Sequence, residues 1–253
     1  MDRRFQFAVC VLAGAAGLLL ALRSAKLHGQ EQALAAQAHP SIPRALVIVD
    51  PGHGGTDPGA DLGNKVAERD VTFALATKLR TALAAEGMNA VLTRDAGASD
   101  AVSADQRAAT ANRGHAVACI SLHATRSGSG VHVYTSALPA LNDTEDLTLL
   151  PARWETAQEH FVTQSVRLAA ALKAAFEPAG LPAALGTTTV PPLDSMMCPA
   201  VAIEFAPLNT LEASGKGAED GHYQDSAVRA MVGALVKWRD DISGQVVPIK
   251  DTP

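Results

Sequence analysis

Val47-Ile48-Val49-Asp50-Pro51-Gly52-His53-Gly54-Gly55 decides the architecture: a β-branched run halts in a tight, glycine-rich turn that carries one histidine. Residues 46–49 are all apolar and read as a strand buried on both faces, the mark of a sheet covered by helices. Pro51 donates no ladder hydrogen bond, and Gly52, Gly54 and Gly55 reach backbone angles closed to other residues, so His53 is presented at the carboxyl rim of that sheet. In open α/β sheets ligands bind at that rim. A lone histidine there reads more simply as a polar cap on the strand; partners give it chemical meaning.

Outward from this strand, helical and extended patterns alternate. A helix opens at Glu68, repeats Val71, Leu75, Leu79 and Leu83, and stops at Gly87; a strand follows over 89–93. Residues 103–112 form a short helix, Ser103 and Gln106 giving its capping pattern. Residues 117–122 are a second buried strand, which also ends on a histidine, His123. Val131 and Val133 alternate with His132 and Tyr134 in a strand over 130–135, and 154–176 read as a long helix. Residues 187–194 hold at most a short edge strand, given Pro191-Pro192. The apolar run 200–203 leads into Glu204, and 223–238 form a terminal helix. This order specifies a single α/β domain with helices on both faces of its sheet.

A hydrophobic fraction of 47% supports a substantial core, and a net charge of -5 without a dense basic run excludes a nucleic-acid partner. Met1-Asp2-Arg3-Arg4 precedes an uncharged stretch over 5–22, a positive start followed by an apolar segment, so the chain is exported. That stretch is intermediate between a signal-peptide core and a spanning helix. Ala36-Gln37-Ala38 resembles a cleavage site but lies far beyond Leu22, so a cleaved signal and a retained anchor both stay open. The expected organisation is an export signal or anchor with linker over 1–40, the α/β domain over 41–242 and a flexible tail over 243–253. The expected location is periplasmic or cell-envelope, at the inner membrane if the first segment is retained, with no other membrane contact. Cys10, Cys119 and Cys198 are too few for a disulfide scaffold. Cys119 and Cys198 read as small buried hydrophobes or, in an oxidising compartment, as a pair between neighbouring strands.

His53, Glu68 and His123 arrive from separate strand ends or helix starts at what should be one edge, and Glu204 arrives fourth. Two imidazoles and one carboxylate leave a tetrahedral zinc one open position for water, the pattern of a catalytic site. A carboxylate at the end of so apolar a strand is costly unless a cation or proton accompanies it, and Glu204 in that place suits a general base. Each residue also has a plainer reading: helix N-termini favour acids such as Glu68, and Glu204 fits a strand-end ion pair. His39, His115, His132, His160 and His222 lack a comparable setting, His132 being the one best placed to line a groove.

Together with Asp57-Pro58-Gly59-Ala60, Glu68-Arg69-Asp70, Leu92-Thr93-Arg94-Asp95, Arg107, Ala111-Asn112, Ser121-Leu122-His123-Ala124 and Pro199-Ala200-Val201-Ala202-Ile203-Glu204, the opening stretch resembles the ordered motifs of the zinc-dependent N-acetylmuramoyl-L-alanine amidases, the Amidase_3 family. The resemblance implies a mixed, mainly parallel twisted sheet flanked by helices, one zinc ion per chain held by His53, Glu68 and His123, and Glu204 as the catalytic carboxylate. It implies peptidoglycan as substrate, cleaved between N-acetylmuramic acid and the L-alanine of the stem peptide. Two departures stand out: Thr125 replaces the family's usual asparagine, and Phe205-Ala206-Pro207-Leu208-Asn209 replaces a glycine-containing segment. A catalytically degenerate cell-wall binding protein and a metallopeptidase acting on another stem amide are the alternatives. Some members carry a segment over the zinc that a protein activator displaces; the acidic stretch 141–155 has the length for such a lid and reads equally as a variable surface loop.

Overall fold

The computed structural model describes residues 44–97, 99–141, 153–208 and 217–245. The N-terminal stretch expected to direct export, with Cys10, the acidic residues Asp143, Glu145 and Asp146, Asn209 and the tail beyond Gln245 lie outside the described residues. No helix among the described residues is long and apolar enough to cross a membrane.

Six strands, β1 (Leu46–Pro51), β2 (Asn89–Leu92), β3 (Ala118–Ala124), β4 (Val131–Ser136), β5 (Ala183–Thr188) and β6 (Ala200–Phe205), form one sheet in the order β2-β1-β3-β6-β4-β5. All neighbours are parallel except β4 and β6, which run antiparallel, so the sheet is mixed and mainly parallel as the resemblance implies. Among the described residues the α-helices are α1 (Glu68–Ala85), α2 (Ala104–Asn112), α3 (Val162–Phe176) and α4 (Gly221–Gln245). The path β1-α1-β2 steps to one side of β1, and β2-α2-β3 returns to the other. Such a reversal opens a crevice at the carboxyl ends of β1 and β3.

Strand alternation assigns the faces. Val47, Val49, Ile120, Leu122, Val201, Ile203 and Phe205 share a core with α1, α3 and α4, contributed by Leu75, Leu79, Leu83, Leu168, Leu172, Phe176, Met231 and Leu235. Ile48, Cys119, Ala200 and Ala202 point to the opposite face, covered more thinly by Ala111 of α2 and by Leu193, Met196 and Cys198. Burial on both faces of β1 follows the sequence reading, and so does the capping box: Ser103 Oγ accepts from the Gln106 amide at 3.2 Å while Gln106 Oε1 accepts from the Ser103 amide at 2.9 Å.

Three local expectations are corrected. The helix read over 154–176 is a 3-10 segment, Trp154–His160, and then α3, because the buried Gln158 side chain turns from its own segment to donate to the carbonyls of Met196 (2.6 Å) and Cys198 (2.9 Å). The strand sought over 187–194 is β5, which begins earlier at Ala183; its small, largely exposed residues pair with β4 alone and give no apolar alternation. Helix α4 extends beyond the expected 223–238 at both ends.

Cys119 and Cys198 are joined by a disulfide with a Cα separation of 6.1 Å, resolving the two readings of these residues in favour of the bridge. It ties β3 to the segment that enters β6, the two strands that end in His123 and Glu204.

Candidate metal centre

The turn after β1 is built by buried guanidinium groups. Arg107, from α2, donates to the carbonyls of Pro51 (2.8 Å) and His53 (2.6 Å) and pairs with Asp50 at 2.7 Å; Arg94 donates to Pro51 O at 2.9 Å and to Arg69 O at 2.7 Å. Asp50 is buried and also accepts from the hydroxyls of Thr93 and Ser121, the latter at 2.9 Å. Carbonyls that would otherwise be orphaned are thus satisfied, and the turn holds His53 at φ 59°, a left-handed conformation that costs a non-glycine residue about 1–2 kcal/mol. Gly52 and Gly59 provide room: a Cβ on Gly52 would stand 2.5 Å from His123 Cε1, and one on Gly59 2.7 Å from the His53 ring.

Glu68 opens α1 beneath this turn and spans the two imidazoles. Its Oε2 lies 3.1 Å from His53 Nε2 and its Oε1 3.0 Å from His123 Nδ1, while the amides of Ala60 and Ala124 donate to the same two oxygens at 3.0 and 3.1 Å. The imidazole rings stand edge to face, 5.3 Å between centroids. One potential ligand atom from each of His53, Glu68 and His123 lies within 4.8 Å of the others, so the three residues expected to converge form a group able to hold a metal ion. The donors fit zinc in kind, since two imidazole nitrogens and a carboxylate oxygen are ligands of open zinc sites, and all three lie within reach of one ion.

Protons complement the same geometry. Hydrogen bonding to Glu68 raises the His53 imidazole to about 9, with Asp57 adding to it and burial opposing. Burial opposes ionisation of Glu68, but the hydrogen bonds from His123, His53, Ala60 and Ala124 prevail and hold its carboxyl well below the usual range. Asp57 was quoted in the sequence only as part of a motif. It accepts from His53 Nδ1 at 2.8 Å and from the Gly59 amide at 3.0 Å, turning Nε2 towards Glu68, as carboxylates behind metal-binding histidines do. Its offset of four residues from His53, across the Gly54-Gly55-Thr56 turn, was the available signal.

Glu204 stands outside the ligand group, in register with His123 across β3 and β6 and with His132 across β4 and β6, so the three side chains share a face. Burial pushes its carboxyl up from the ordinary glutamate value, with Glu68 reinforcing the shift and the histidines opposing it. The same register sets His132 opposite Glu204. Thr125 donates its amide to Phe205 O at 3.0 Å, joining the two segments that depart from the family pattern.

Comparison with known proteins agrees with this architecture. The Amidase_3 profile, described as N-acetylmuramoyl-L-alanine amidase, matches residues 47–237. The chain belongs to the N-acetylmuramoyl-L-alanine amidase family. It is 38% identical over 84 residues to the sporulation-specific N-acetylmuramoyl-L-alanine amidase of Bacillus subtilis, a match covering 32% of this chain and 32% of that relative. The chain thus spans about a third of that relative's length. The amidase Ami1 of Mycobacterium smegmatis shares the fold at 21% identity and a TM-score of 0.59, over 78% of this chain and 97% of that one. The CwlD amidase of Clostridioides difficile, solved in complex with the GerS lipoprotein, does so at 18% identity and a TM-score of 0.51, over 78% and 100%.

Proposed function

We propose that this family member is an exported, zinc-dependent peptidoglycan hydrolase that cleaves the amide between N-acetylmuramic acid and the L-alanine of the stem peptide. The observation that carries the reading is the convergence of His53, Glu68 and His123 on one point, with the separate acid Glu204 in register beside His123. His53 through Nε2, Glu68 through a carboxylate oxygen and His123 through Nδ1 would hold the ion. When bound, zinc supplies Lewis acidity, acidifying water and polarising the scissile carbonyl. Asp57 keeps a proton on His53 Nδ1, which leaves Nε2 its lone pair. Glu204 takes a proton from the attacking water and delivers it to the amide nitrogen. As the C–N bond breaks, the nitrogen departs as the amino group of L-alanine and the carbonyl carbon becomes the lactyl carboxylate. A carboxylate whose pKa is raised by burial is a stronger base, and so takes the proton of water more readily than an exposed one.

Purified sacculi test this directly. Glu204→Gln is expected to keep zinc and to release no stem peptide; turnover retained in that variant overturns the assigned base. Mass analysis of the wild-type digest is expected to find free stem peptides with an L-alanine amino end. A different cleaved amide would identify a metallopeptidase, and sedimentation with sacculi without product would identify a binding protein.

A further inference from the structure

We propose that His132 is a positioning residue for Glu204, an inference that rests on the amidase reading above. The two residues are directly opposite one another in the antiparallel β4–β6 ladder, a register in which Cβ atoms lie about 4.5–5.5 Å apart, although no hydrogen bond or ion pair joins the two side chains in this structure. On the other flank of Glu204 the register partner is His123, already engaged with Glu68 at 3.0 Å. Along β6 itself the nearest residue on this face is Ala202, which has no polar side-chain atom. His132 is therefore the polar side chain that a neighbouring strand places beside the carboxylate on the flank away from the ligand group.

The imidazole is braced for this task. Its Nε2 lies 3.1 Å from the carbonyl oxygen of Ser129, and a carbonyl only accepts, so Nε2 carries a proton. That bond makes Nδ1 the ring atom through which His132 acts on Glu204. The ring also lies nearly parallel to Tyr134, 13° between planes and 6.2 Å between centroids, which limits its rotation. A glutamate has three rotatable bonds, and a base left to sample several rotamers spends only part of its time on the attacking water. In the imidazolium form Nδ1 carries a proton as well as Nε2, and that donor selects one orientation of the carboxylate. Substrate affinity and the ligand group are untouched by this role, so its loss is expected in kcat rather than in KM or metal content.

The test combines turnover with a signal that needs no substrate. In full-length protein carrying 15N-histidine, the Nδ1 resonance of His132, identified by its absence from His132→Asn, is expected to shift on Glu204→Gln. His132→Ala is expected to lower kcat on sacculi about 10- to 100-fold with KM and zinc content unchanged. His132→Asn, whose amide donates from the Nδ1 position, is expected to restore most of the rate. An Nδ1 resonance indifferent to Glu204→Gln overturns the pairing, and so does full activity in His132→Ala. Failure of the wild-type protein to release stem peptide overturns the amidase reading, and the positioning role with it; the resonance alone then separates a true pair from none.

Discussion

Replacing Arg107 by methionine probes how the ligand turn is held. The guanidinium is 6% exposed and its partner Asp50 1%, so the substitution leaves a carboxylate in the interior with only the hydroxyls of Thr93 and Ser121. It also removes a donor to each of three backbone carbonyls, those of Pro51, His53 and Val102, of which Pro51 keeps Arg94. Breaking one side of a buried ion pair costs about 3–5 kcal/mol, a large share of the roughly 5–15 kcal/mol that keeps a domain folded. Urea unfolding in chelator should show the midpoint falling by roughly 2 M for a slope near 2 kcal/mol/M. Adding Asp50→Asn removes the stranded charge and should recover about 2 kcal/mol, a coupling expected for groups in contact. The turn's metal function should fall too, since His53 is held left-handed through the carbonyls that Arg107 satisfies. Zinc affinity measured by chelator competition on the folded fraction should drop about 10- to 100-fold. A double variant no more stable than Arg107→Met, or a single variant binding zinc as tightly as the parent, would refute the reasoning.

Three further outcomes are expected. Raised to about 9 by Glu68, His53 contributes stability to the metal-free protein that is complete below pH 6.5 and is lost as pH rises through about 9. Zinc must displace that proton, so calorimetry at pH 7 in buffers of different ionisation enthalpy should find about one proton released from His53 per ion, and far less than one would contradict the Glu68 contact. Gly52→Ala should retain the far-UV spectrum but bind zinc at least about tenfold more weakly, because its Cβ would stand 2.7 Å from His123 Nδ1; unchanged affinity would mean the ring has room to move. Replacing Cys119 and Cys198 together by alanine should cost about 4 kcal/mol by urea unfolding, from opening a loop of 79 residues, and thiol titration of the unreduced, unfolded parent should detect neither cysteine.

Several features were legible in the residues themselves. The β-branched run before Pro51, the fourfold spacing from Val71 to Leu83 and the serine-glutamine cap at 103–106 each follow from local backbone and solvation preferences, which neighbours in sequence suffice to express. The family motifs likewise named His53, Glu68, His123 and Glu204 before any contact was known. Strand β5 was misplaced because an edge strand of small residues, half open to water, carries no apolar alternation to read. The broken helix at Phe161 depends on Gln158 reaching carbonyls 38 and 40 residues away.

The sequence by itself determined which strands are buried, where they stop and which imidazoles and carboxylates they carry, because periodicity and turn chemistry are local. Only the tertiary structure decided that Glu68 bridges both histidines, that Cys119 meets Cys198, that Arg107 neutralises Asp50 beneath the turn and that antiparallel β4 sets His132 against Glu204. These are contacts between residues far apart along the chain, and they exist only once strand order and register have brought those residues together.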